Sequence, residues 1–441
     1  MKSVIPAVVL LSAVSLQAAT TTALAATTNE PAPNILLVIA DDMGLDATTC
    51  YNVGNQQAPM PTLEELCANG LVFDNAYAAP VCSPTRASIM SGQHGFQTGI
   101  GGAISRRGDS GGLSDSIVSL FDLLATTDHS AALIGKWHLA SGADGLDHPG
   151  ALGVDHYFGL YSGRTEDYNN WESVENGKTR SIQQYTTSAF TDHAIDWIGQ
   201  QDSPWFLWLA HNAPHAPFHL PPNSLHSFDD LQDNKSAINT NPLPYYQAML
   251  EALDTELGRL LNSLSADTRD NTLVIFMGDN GTPNQVSRSL YNKGAKGTLF
   301  EAGINIPFVV AGAGVTSGRT DALVSAVDLY ATIAGLTGAE SNAAASIDFS
   351  AVLSGGNTER DTIYAEHFSN RSARGANTYG WSLRQDHMKL INIEGQPLAL
   401  YDLATDPGEH NNLLSEPATE RHLAIANTLQ NRKKALTEDG F

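Results

Sequence analysis

Short, continuous apolar runs alternate along this chain with longer helical patterns, and this alternation restricts the fold more than any other feature. The first run, Asn34–Ala40, is rich in branched side chains, as expected for a strand buried on both faces. Similar runs recur at residues 131–134, 205–209, 272–277 and 307–310, with helical patterns between them at 62–68, 116–124, 187–198 and 245–264. Strands that alternate with helices predict an α/β fold whose mostly parallel central sheet is sandwiched by helices.

The chain changes character after residues 335–346, which are rich in small side chains. Shorter apolar runs follow at residues 362–366, 379–383, 388–393 and 398–403, and a charged helical pattern covers residues 416–436. We therefore predict a large domain over residues 31–338 and a smaller α+β domain over residues 345–436. The smaller domain is expected to contain an antiparallel sheet and a terminal helix.

The N-terminal residues predict export. Lys2 precedes an apolar stretch over residues 4–19, and the small residues at 23–25 fit a signal peptidase site. Polar residues interrupt this stretch, and it is shorter than the ~20 apolar residues that a membrane-spanning helix needs. We predict a signal peptide over residues 1–25, a periplasmic or secreted protein, and no stable membrane association.

Charge and cysteine content narrow the possible partners and the role of the thiols. The formal net charge of −23 argues against nucleic acid or an anionic membrane as a partner. Three cysteines, Cys50, Cys67 and Cys82, are too few for a disulfide scaffold. Because their number is odd, at least one is unpaired in an oxidising compartment.

Two acid-rich pairs follow predicted buried strands. Asp41 and Asp42 come directly after the first strand, and Asp279 and Asn280 follow the run at residues 272–277. Ligands of open α/β sheets gather beyond the carboxyl ends of the strands, and oxygen donors without Cys or His suit Ca²⁺ or Mg²⁺. Either pair alone is more often an ordinary turn. Two such pairs, both at strand ends, favour a site for one cation.

The third cysteine opens a second candidate motif, Cys82-Ser83-Pro84-Thr85-Arg86. Pro84 fits the first turn of a helix, so Cys82 is expected at a helix N-terminus, where backbone N–H groups favour an anion. A buried or disulfide-bonded cysteine is the competing interpretation of Cys82 taken alone.

These motifs, read together, resemble the type I sulfatases of the alkaline-phosphatase-like superfamily. The cysteine segment resembles the family's first signature, C-x-P-x-R with a glycine six residues beyond the arginine, and residues 129–138 (HSAALIGKWH) resemble its second. Further similar segments follow the family order: NILLVIADDMG, the segment around His215, MGDNG, residues 296–304, and the C-terminal residues 401–403 and 406–407. Three positions depart from the usual pattern without removing a catalytic group: Ser91, Ala302 and Asn305.

The resemblance implies a large alkaline-phosphatase-like domain and a modified nucleophile. Cys82 would be oxidised to formylglycine by a maturation enzyme that reads C-x-P-x-R. Asp41, Asp42, Asp279 and Asn280 would then bind one Ca²⁺ or Mg²⁺, with the modified residue 82 as a further ligand. If Cys82 is consumed in this way, Cys50 and Cys67 are the remaining thiols, and we predict that they form a disulfide.

The resemblance also implies roles for the basic residues. Arg86 and Lys136 would hold the formylglycine oxygens, and Lys136 and Lys296 would bind sulfate. His138 is the candidate base of the elimination step, and His215 the candidate acid or hydrogen-bond donor that contacts the substrate at its leaving oxygen. Ser162 is a candidate for a further sulfate contact. Three aromatic residues could stack on a sugar or aryl ring or pack in the interior: Tyr168, Trp171 and Tyr379.

The sequence therefore predicts a hydrolase of aryl or carbohydrate sulfate monoesters. Its partners would be a sulfate ester of a small molecule or saccharide, and the maturation enzyme. A phosphonate monoester or phosphodiester hydrolase with the same modified cysteine is one alternative. An inactive glycan-binding protein on this fold is another, and the full set of expected polar groups argues against it. A zinc phosphatase is disfavoured, because the second acid-rich pair lacks histidine ligands.

Overall fold

The main sheet contains ten strands within the described residues, and its central strands form where the chain is apolar on both faces. In a computed structural model, Met1 and residues 32–105, 111–291, 295–368, 379–415 and 417–438 are described. The strands are β1 (Asn34–Ala40), β2 (Leu71–Tyr77), β3 (Ser130–Gly135), β4 (His156–Gly159), β5 (Trp171–Glu175), β6 (Lys178–Ile182), β7 (Trp205–Ala210), β8 (Thr272–Gly278), β9 (Phe308–Gly312) and β10 (Gly318–Ser325).

Parallel pairing dominates the centre of this sheet. The strand order is β10-β2-β9-β8-β1-β7-β3-β4-β5-β6. The neighbours from β8 through β1, β7 and β3 to β4 run parallel. Strand β9 runs antiparallel to both of its neighbours, and β5 and β6 form an antiparallel pair at one edge.

Helices cover both faces of the sheet, because alternate side chains of each central strand point to opposite sides. In β1, Ile35, Leu37 and Ile39 join one apolar cluster, which includes residues of the helices α2, α4 and α11, while the other β1 side chains face α1, α6 and α8. The helices are α1 (Pro61–Asn69), α2 (Cys82–Ser91), α3 (Gly95–Thr98), α4 (Leu120–Leu124), α5 (His148–Ala151), α6 (Thr186–Ile198), α7 (Lys235–Thr240), α8 (Leu243–Ser263), α9 (Ala266–Asp270), α10 (Glu301–Ile304), α11 (Leu329–Thr337), α12 (Ser350–Leu353) and α13 (Glu420–Glu438).

A second, smaller sheet follows in the chain. Its four strands, β11 (Thr362–His367), β12 (Gly380–Gln385), β13 (Met388–Ile393) and β14 (Ala399–Asp402), pair antiparallel in sequence order. Helix α13 packs on this sheet through Ala426 and Leu429, which share an apolar cluster with Trp381 and Leu390. An α/β fold with a separate antiparallel sheet near the C-terminus is thereby confirmed.

The sequence missed five strands of the main sheet: β2, β4, β5, β6 and β10. Each lacks a continuous apolar run; β6, for example, carries mostly exposed side chains at the sheet edge. The helix expected over residues 116–124 begins only at Leu120, where Ser119 caps it by accepting a hydrogen bond from the Asp122 N–H at 3.0 Å.

The proposed domain boundary near residues 338–345 falls between α11 and α12, and it stays a prediction, since residues 32–441 form one compact unit. Residues 2–25 of the predicted signal peptide lie outside the described residues. Within the described ranges, no helix is both long and apolar enough to cross a membrane.

The predicted bridge between Cys50 and Cys67 is present, with Cα atoms 6.2 Å apart and a sequence separation of 17 residues. It ties helix α1 to the segment that follows the acidic residues of β1's carboxyl end. Cys82 is the free cysteine and is buried.

We expect the double substitution C50S/C67S to lower the free energy of unfolding by up to about 3 kcal/mol, because closing a short loop removes entropy from the unfolded chain. Urea unfolding of the variant and the parent measures this difference. Reaction of two cysteines besides residue 82 with a thiol reagent in the native, unreduced parent would contradict the bridge.

Candidate active site

The two acid-rich pairs meet at one edge of the main sheet. Strands β1 and β8 pair in parallel with Ala40 opposite Gly278, so both chains leave the sheet side by side. Asp42 adopts a left-handed backbone conformation with φ 73°, and its N–H donates to Asp279 Oδ1 at 3.0 Å. All four polar side chains are buried, with exposed fractions of 2% or less: Asp41, Asp42, Asp279 and Asn280.

Cys82 begins helix α2 directly against these acids, as the sequence predicts. Its Sγ lies 3.2 Å from Asp41 Oδ1 and 3.8 Å from Asp42 Oδ1. The hydroxyl of Thr85 donates to the carbonyl of Asp279 at 2.7 Å and so fixes the first turn of α2. Burial, together with the charges of Asp279 and Asp41, raises the pKa of the Cys82 thiol well above its ordinary value. An unmodified Cys82 is therefore a protonated thiol rather than a nucleophilic thiolate.

Three cations from different parts of the chain balance the three carboxylates. Arg86, one turn beyond Cys82, donates to Asp279 Oδ2 at 2.8 Å and to the carbonyl of Lys136 at 3.0 Å. Lys136 Nζ lies 2.5 Å from Asp41 Oδ2. Lys296 Nζ lies 2.5 Å from Asp42 Oδ1 and 3.7 Å from Cys82 Sγ.

The surrounding charges shift the pKa values of Asp41 and Asp279 in opposite directions. Burial raises the pKa of Asp41, but the charges of Lys136, His215, Arg86 and Lys296 lower it more, so that it lies well below its ordinary value. Burial and the negative charge of Asp41 raise the pKa of Asp279 in spite of Arg86. A further cation near these groups would relieve the repulsion that raises the pKa of Asp279.

Gly135 explains how Lys136 reaches the site. Its φ of 116° lies in the region that favours glycine. A side chain there would place its Cβ 1.9 Å from the carbonyl oxygen of Ala210 on the neighbouring strand. The glycine thus lets β3 end close against β7, which turns the next residue toward Asp41.

His138 is buried beside the charged cluster and is held neutral. Burial and the charges of Lys136 and Arg86 lower its pKa well below the ordinary value. Its Nε2 lies 3.0 Å from the carbonyl of Ile104, and its buried Nδ1 has no hydrogen-bond partner. A Cβ at Gly163 would lie 2.4 Å from the imidazole, so only glycine at that position admits the ring.

His215 also lies close to the acidic residues of the site. Its Nε2 lies 3.8 Å from Asp42 Oδ2, and 18% of its side chain is exposed. Tyr168 fixes the histidine segment, because its hydroxyl donates to the carbonyls of Asn212 at 2.7 Å and His215 at 2.5 Å. Tyr168 is buried, so it packs in the interior rather than stacking on a ligand. Trp171 is buried as well, whereas Tyr379 is 41% exposed.

The described residues fit a divalent cation. Ligand atoms of Asp41, Asp42, Cys82 and His215 all lie within 4.8 Å of one another. The buried Oδ1 of Asn280 has no hydrogen-bond partner, and a cation would satisfy this oxygen. Asp279 is less free than expected, since Arg86 and the Asp42 N–H occupy its two oxygens. Sequence reasoning assigned His215 to the leaving oxygen of the substrate, as an acid or a hydrogen-bond donor, and did not anticipate its place in this group.

Ser162 lies apart from the charged cluster, on the wall of a cleft of about 600 Å³ that opens beside His138 and His215. Its hydroxyl donates to the carbonyl of Arg164 at 3.1 Å. Arg164, Glu166 and Glu172 also line this cleft.

The sequence did not single out three side chains that support the site. Ser83 donates to the carbonyl of His138 at 2.9 Å, and Thr85 holds the carbonyl of Asp279. Both occupy the variable positions of C-x-P-x-R. The sequence signal for their role was therefore their position between the fixed residues of that motif. Tyr246 donates to the carbonyl of Asp42 at 2.9 Å, and nothing in the local sequence around it indicates this role.

Comparisons with known proteins identify sulfatases as relatives of this chain. The family model Sulfatase matches residues 33–339, and the model N-sulphoglucosamine sulphohydrolase, C-terminal, matches residues 291–439. N-acetylgalactosamine-6-sulfatase of Homo sapiens is 31% identical over 345 residues, which cover 69% of this chain and 62% of that protein. A sulfatase of Formosa agariphila is 26% identical, with coverage of 91% of this chain and 88% of the relative.

A solved structure extends the similarity to the whole fold. Ps i-CgsB in complex with k-i-k-neocarrahexaose has a TM-score of 0.78 and 25% sequence identity, and the match covers 93% of each chain. The order of the motifs, the family match over most of the chain and the shared fold lead to one conclusion. The chain belongs to the type I sulfatase family of sulfuric ester hydrolases and has its alkaline-phosphatase-like fold.

Proposed function

We propose that this protein hydrolyses sulfate monoesters of saccharides or aryl alcohols, with a formylglycine made from Cys82 and one Ca²⁺ or Mg²⁺. The observation that supports it most is the position of Cys82 Sγ, 3.2 Å from Asp41 and 3.7 Å from Lys296. A reactive oxygen at that position would lie between the acids that fit a cation and the lysine that would bind sulfate.

The modified residue supplies the nucleophile. Its hydrated aldehyde would supply two hydroxyl groups at residue 82, one as the nucleophile toward sulfur and the other to release sulfate and return the aldehyde. Arg86 and Lys136 stabilise negative charge on these oxygens, and Lys136 and Lys296 bind the sulfate oxygens. Both lysines are held in place by carboxylates, Asp41 and Asp42, before substrate arrives.

Two histidines move the protons. His215 is partly exposed and faces the cleft, so it can donate a proton to the leaving ester oxygen. His138 is neutral, and its Nδ1 is free of hydrogen bonds, so it can accept the proton of the second hydroxyl when sulfate leaves. Ser162, on the cleft wall, is a further contact for the substrate.

The cation would be held by Asp41, Asp42, Asp279 and the amide oxygen of Asn280, with residue 82 as a further ligand. It would lower the pKa of the attacking hydroxyl and neutralise sulfate oxygens. These four residues offer only oxygen atoms as ligands, and the oxygen of Asn280, Oδ1, has no hydrogen-bond partner.

A saccharide sulfate fits the cleft well. Cys82 is only 2% exposed, so a substrate must extend its sulfate inward past His215 and Lys296. The cleft of about 600 Å³ beside His215 and His138 falls in the range of small-ligand sites. Its polar wall of Ser162, Arg164 and Glu172 suits sugar hydroxyl groups. The human relative is an N-acetylgalactosamine-6-sulfatase, and Ps i-CgsB was solved with an oligosaccharide.

The burial of Cys82 also bears on maturation. An enzyme that reads C-x-P-x-R must reach the side chains of this motif, whereas all of residues 82–91 are buried in the helix α2. We therefore infer that the modification precedes folding. This order is compatible with a protein exported through its N-terminal signal peptide to the periplasm or beyond.

Peptide mass spectrometry of active enzyme should show residue 82 lighter than cysteine, with sulfur replaced by oxygen and two hydrogens lost. We expect the Cys82→Ala variant to fold and to lose turnover of 4-nitrophenyl sulfate. A preparation with full activity in which every residue 82 is unmodified cysteine would refute the mechanism. Initial rates on an aryl phosphonate decide between a sulfatase and a phosphonate hydrolase.

Added Ca²⁺ or Mg²⁺ should raise the melting temperature of the metal-free protein, because binding to the native state stabilises it. The rise should be much smaller in Asn280→Ala. The matched control is Asn305→Ala, which removes another buried amide oxygen without a partner but whose amide donates to Glu301 and to the carbonyl of Asp74, neither of which is a proposed cation ligand. Elemental analysis that finds two zinc ions per chain, and neither calcium nor magnesium, would instead favour a zinc phosphatase.

His215→Ala should lower kcat for an alkyl or saccharide sulfate about 100-fold or more, in the range of general acid catalysis. The loss should be far smaller for 4-nitrophenyl sulfate, whose leaving oxygen needs no proton. His219→Ala is the control, since that ring packs at a tilt against Tyr168, with ring centroids 4.1 Å apart, and makes no contact with the site acids in the described part of the chain. Equal losses for both substrates would exclude His215 as the acid.

A further inference from the structure

A cluster of buried charges joins the second sheet to the segment that carries Lys296. Lys389, on β13, places its Nζ 2.8 Å from Glu301 Oε1 and 2.9 Å from Glu409 Oε1. The exposed fractions of Lys389, Glu301 and Glu409 are 1%, 4% and 0%. Removing charges from water costs several kcal/mol for each ion unless partners surround it, so an arrangement like this depends on its geometry.

Glu301 is the centre of the cluster. Besides Lys389, it accepts hydrogen bonds from the hydroxyl of Tyr77 at 2.8 Å and from Asn305 Nδ2 at 3.1 Å. Arg384, on β12, donates in turn to the Tyr77 hydroxyl. Burial raises the pKa of Glu301, but the charges of Lys389 and Arg384 lower it more, so the pKa ends below its ordinary value and Glu301 stays ionised.

Glu409 contacts the backbone N–H of Glu301 and not a side chain of the active site. Its Oε2 accepts a hydrogen bond from the N–H of Glu301 at 2.6 Å, where α10 begins. Glu409 itself has a left-handed backbone conformation, with φ 55°, which is uncommon for a residue other than glycine. The loop after β14 therefore places this carboxylate between Lys389 and the start of α10.

The segment between Lys296 and α10 is short, and backbone hydrogen bonds attach it to neighbouring segments of the active site. The Lys296 N–H donates to the carbonyl of Thr282 at 3.0 Å, and the Gly297 N–H donates to that of Pro80 at 2.8 Å. The carbonyl of Gly303 accepts from the Gly281 N–H at 2.9 Å. Fixing Glu301 thereby fixes the backbone from which the long, flexible side chain of Lys296 reaches Asp42.

Cohesion between the two sheets does not require these charges. Leu299 and Ile304 already pack with Ile363, Ile391 and Tyr401 of the second sheet in an apolar cluster. Apolar contact is non-directional, however, and tolerates small shifts of the backbone. A carboxylate aimed at one N–H group, and a lysine held between two carboxylates, specify position and direction.

We propose that Glu409, together with Lys389 and Glu301, is a positioning residue that sets the reach of Lys296 to Asp42 and residue 82. The inference rests on the proposed role of Lys296 in sulfate binding. Under it, the second sheet contributes to catalysis through Lys389 and the adjacent Glu409, which act through the position of Lys296 and not by touching the substrate.

The first test compares Glu409→Ala with Glu409→Gln. The alanine removes the acceptor of the Glu301 N–H, and kcat for 4-nitrophenyl sulfate should fall about 10- to 100-fold, the range expected for a misplaced catalytic group. The glutamine keeps an oxygen at that N–H and should restore most of kcat. If Glu409→Ala does not fold, Glu409→Asp, which shortens the reach to the N–H, replaces it and should show the same loss.

Glu366→Ala is the matched control. Glu366 is also a buried carboxylate of the second sheet, and it accepts a hydrogen bond from the Phe96 N–H at 2.6 Å near the start of the short helix α3. That helix carries no site residue. Glu366→Ala should lower the melting temperature about as much as Glu409→Ala while leaving kcat per folded molecule near that of the parent.

A double-mutant cycle with Lys296→Ala decides the inference. If Glu409 acts through Lys296, Glu409→Ala should lower kcat little further in the Lys296→Ala background. Equal losses of kcat in both backgrounds would overturn the positioning role while leaving the proposed function intact. Lys296→Ala with the kcat of the parent would instead disprove the role of Lys296, on which this inference rests.

Discussion

The parallel pairing of β1 with β8 imposes the constraint on which the rest of the structure depends. It brings Asp41, Asp42 and Asp279 out of the sheet side by side and buries all three. Buried carboxylates at this spacing repel one another, and the fold must supply positive charge from elsewhere in the chain. Arg86, Lys136 and Lys296 do so from a helix, a strand end and a loop, so three separate parts of the chain are tied to one edge of the sheet.

The sequence predicted much of this arrangement, because the signals are local. A continuous apolar run followed by acids identifies a buried strand with ligands at its end, and Pro84 places Cys82 at the start of a helix. The glycine in the second signature (residues 129–138) gained a physical explanation only from the structure. Gly135 is required by the carbonyl of Ala210 on the adjacent strand, a contact between residues far apart in sequence. Edge strands such as β6 escaped prediction, because exposure on both sides leaves no apolar pattern to recognise.

Groups that act across the fold were beyond the reach of sequence reasoning. Nothing near Tyr246 indicates that its hydroxyl holds the carbonyl of Asp42, and nothing near Lys389 indicates a partner at Glu301. The partial occupation of Asp279 by Arg86 was equally unforeseen, since both residues were assigned to the site but not to each other. Motifs identify which residues lie together in the site, whereas the hydrogen bonds that each oxygen makes determine whether it can also bind a ligand.

The position of Glu409 near the C-terminus has a consequence for the order of events during biosynthesis. A chain that emerges from its N-terminus presents the segment of Cys82 early, long before β13 and the loop that carries Glu409 exist as folded structure. If Glu409 positions the lysine segment as proposed, that segment cannot be fixed over residue 82 until residue 409 has been made and the second sheet has assembled. Under the proposed modification of Cys82, this delay would leave a period in which the cysteine remains accessible to a modifying enzyme.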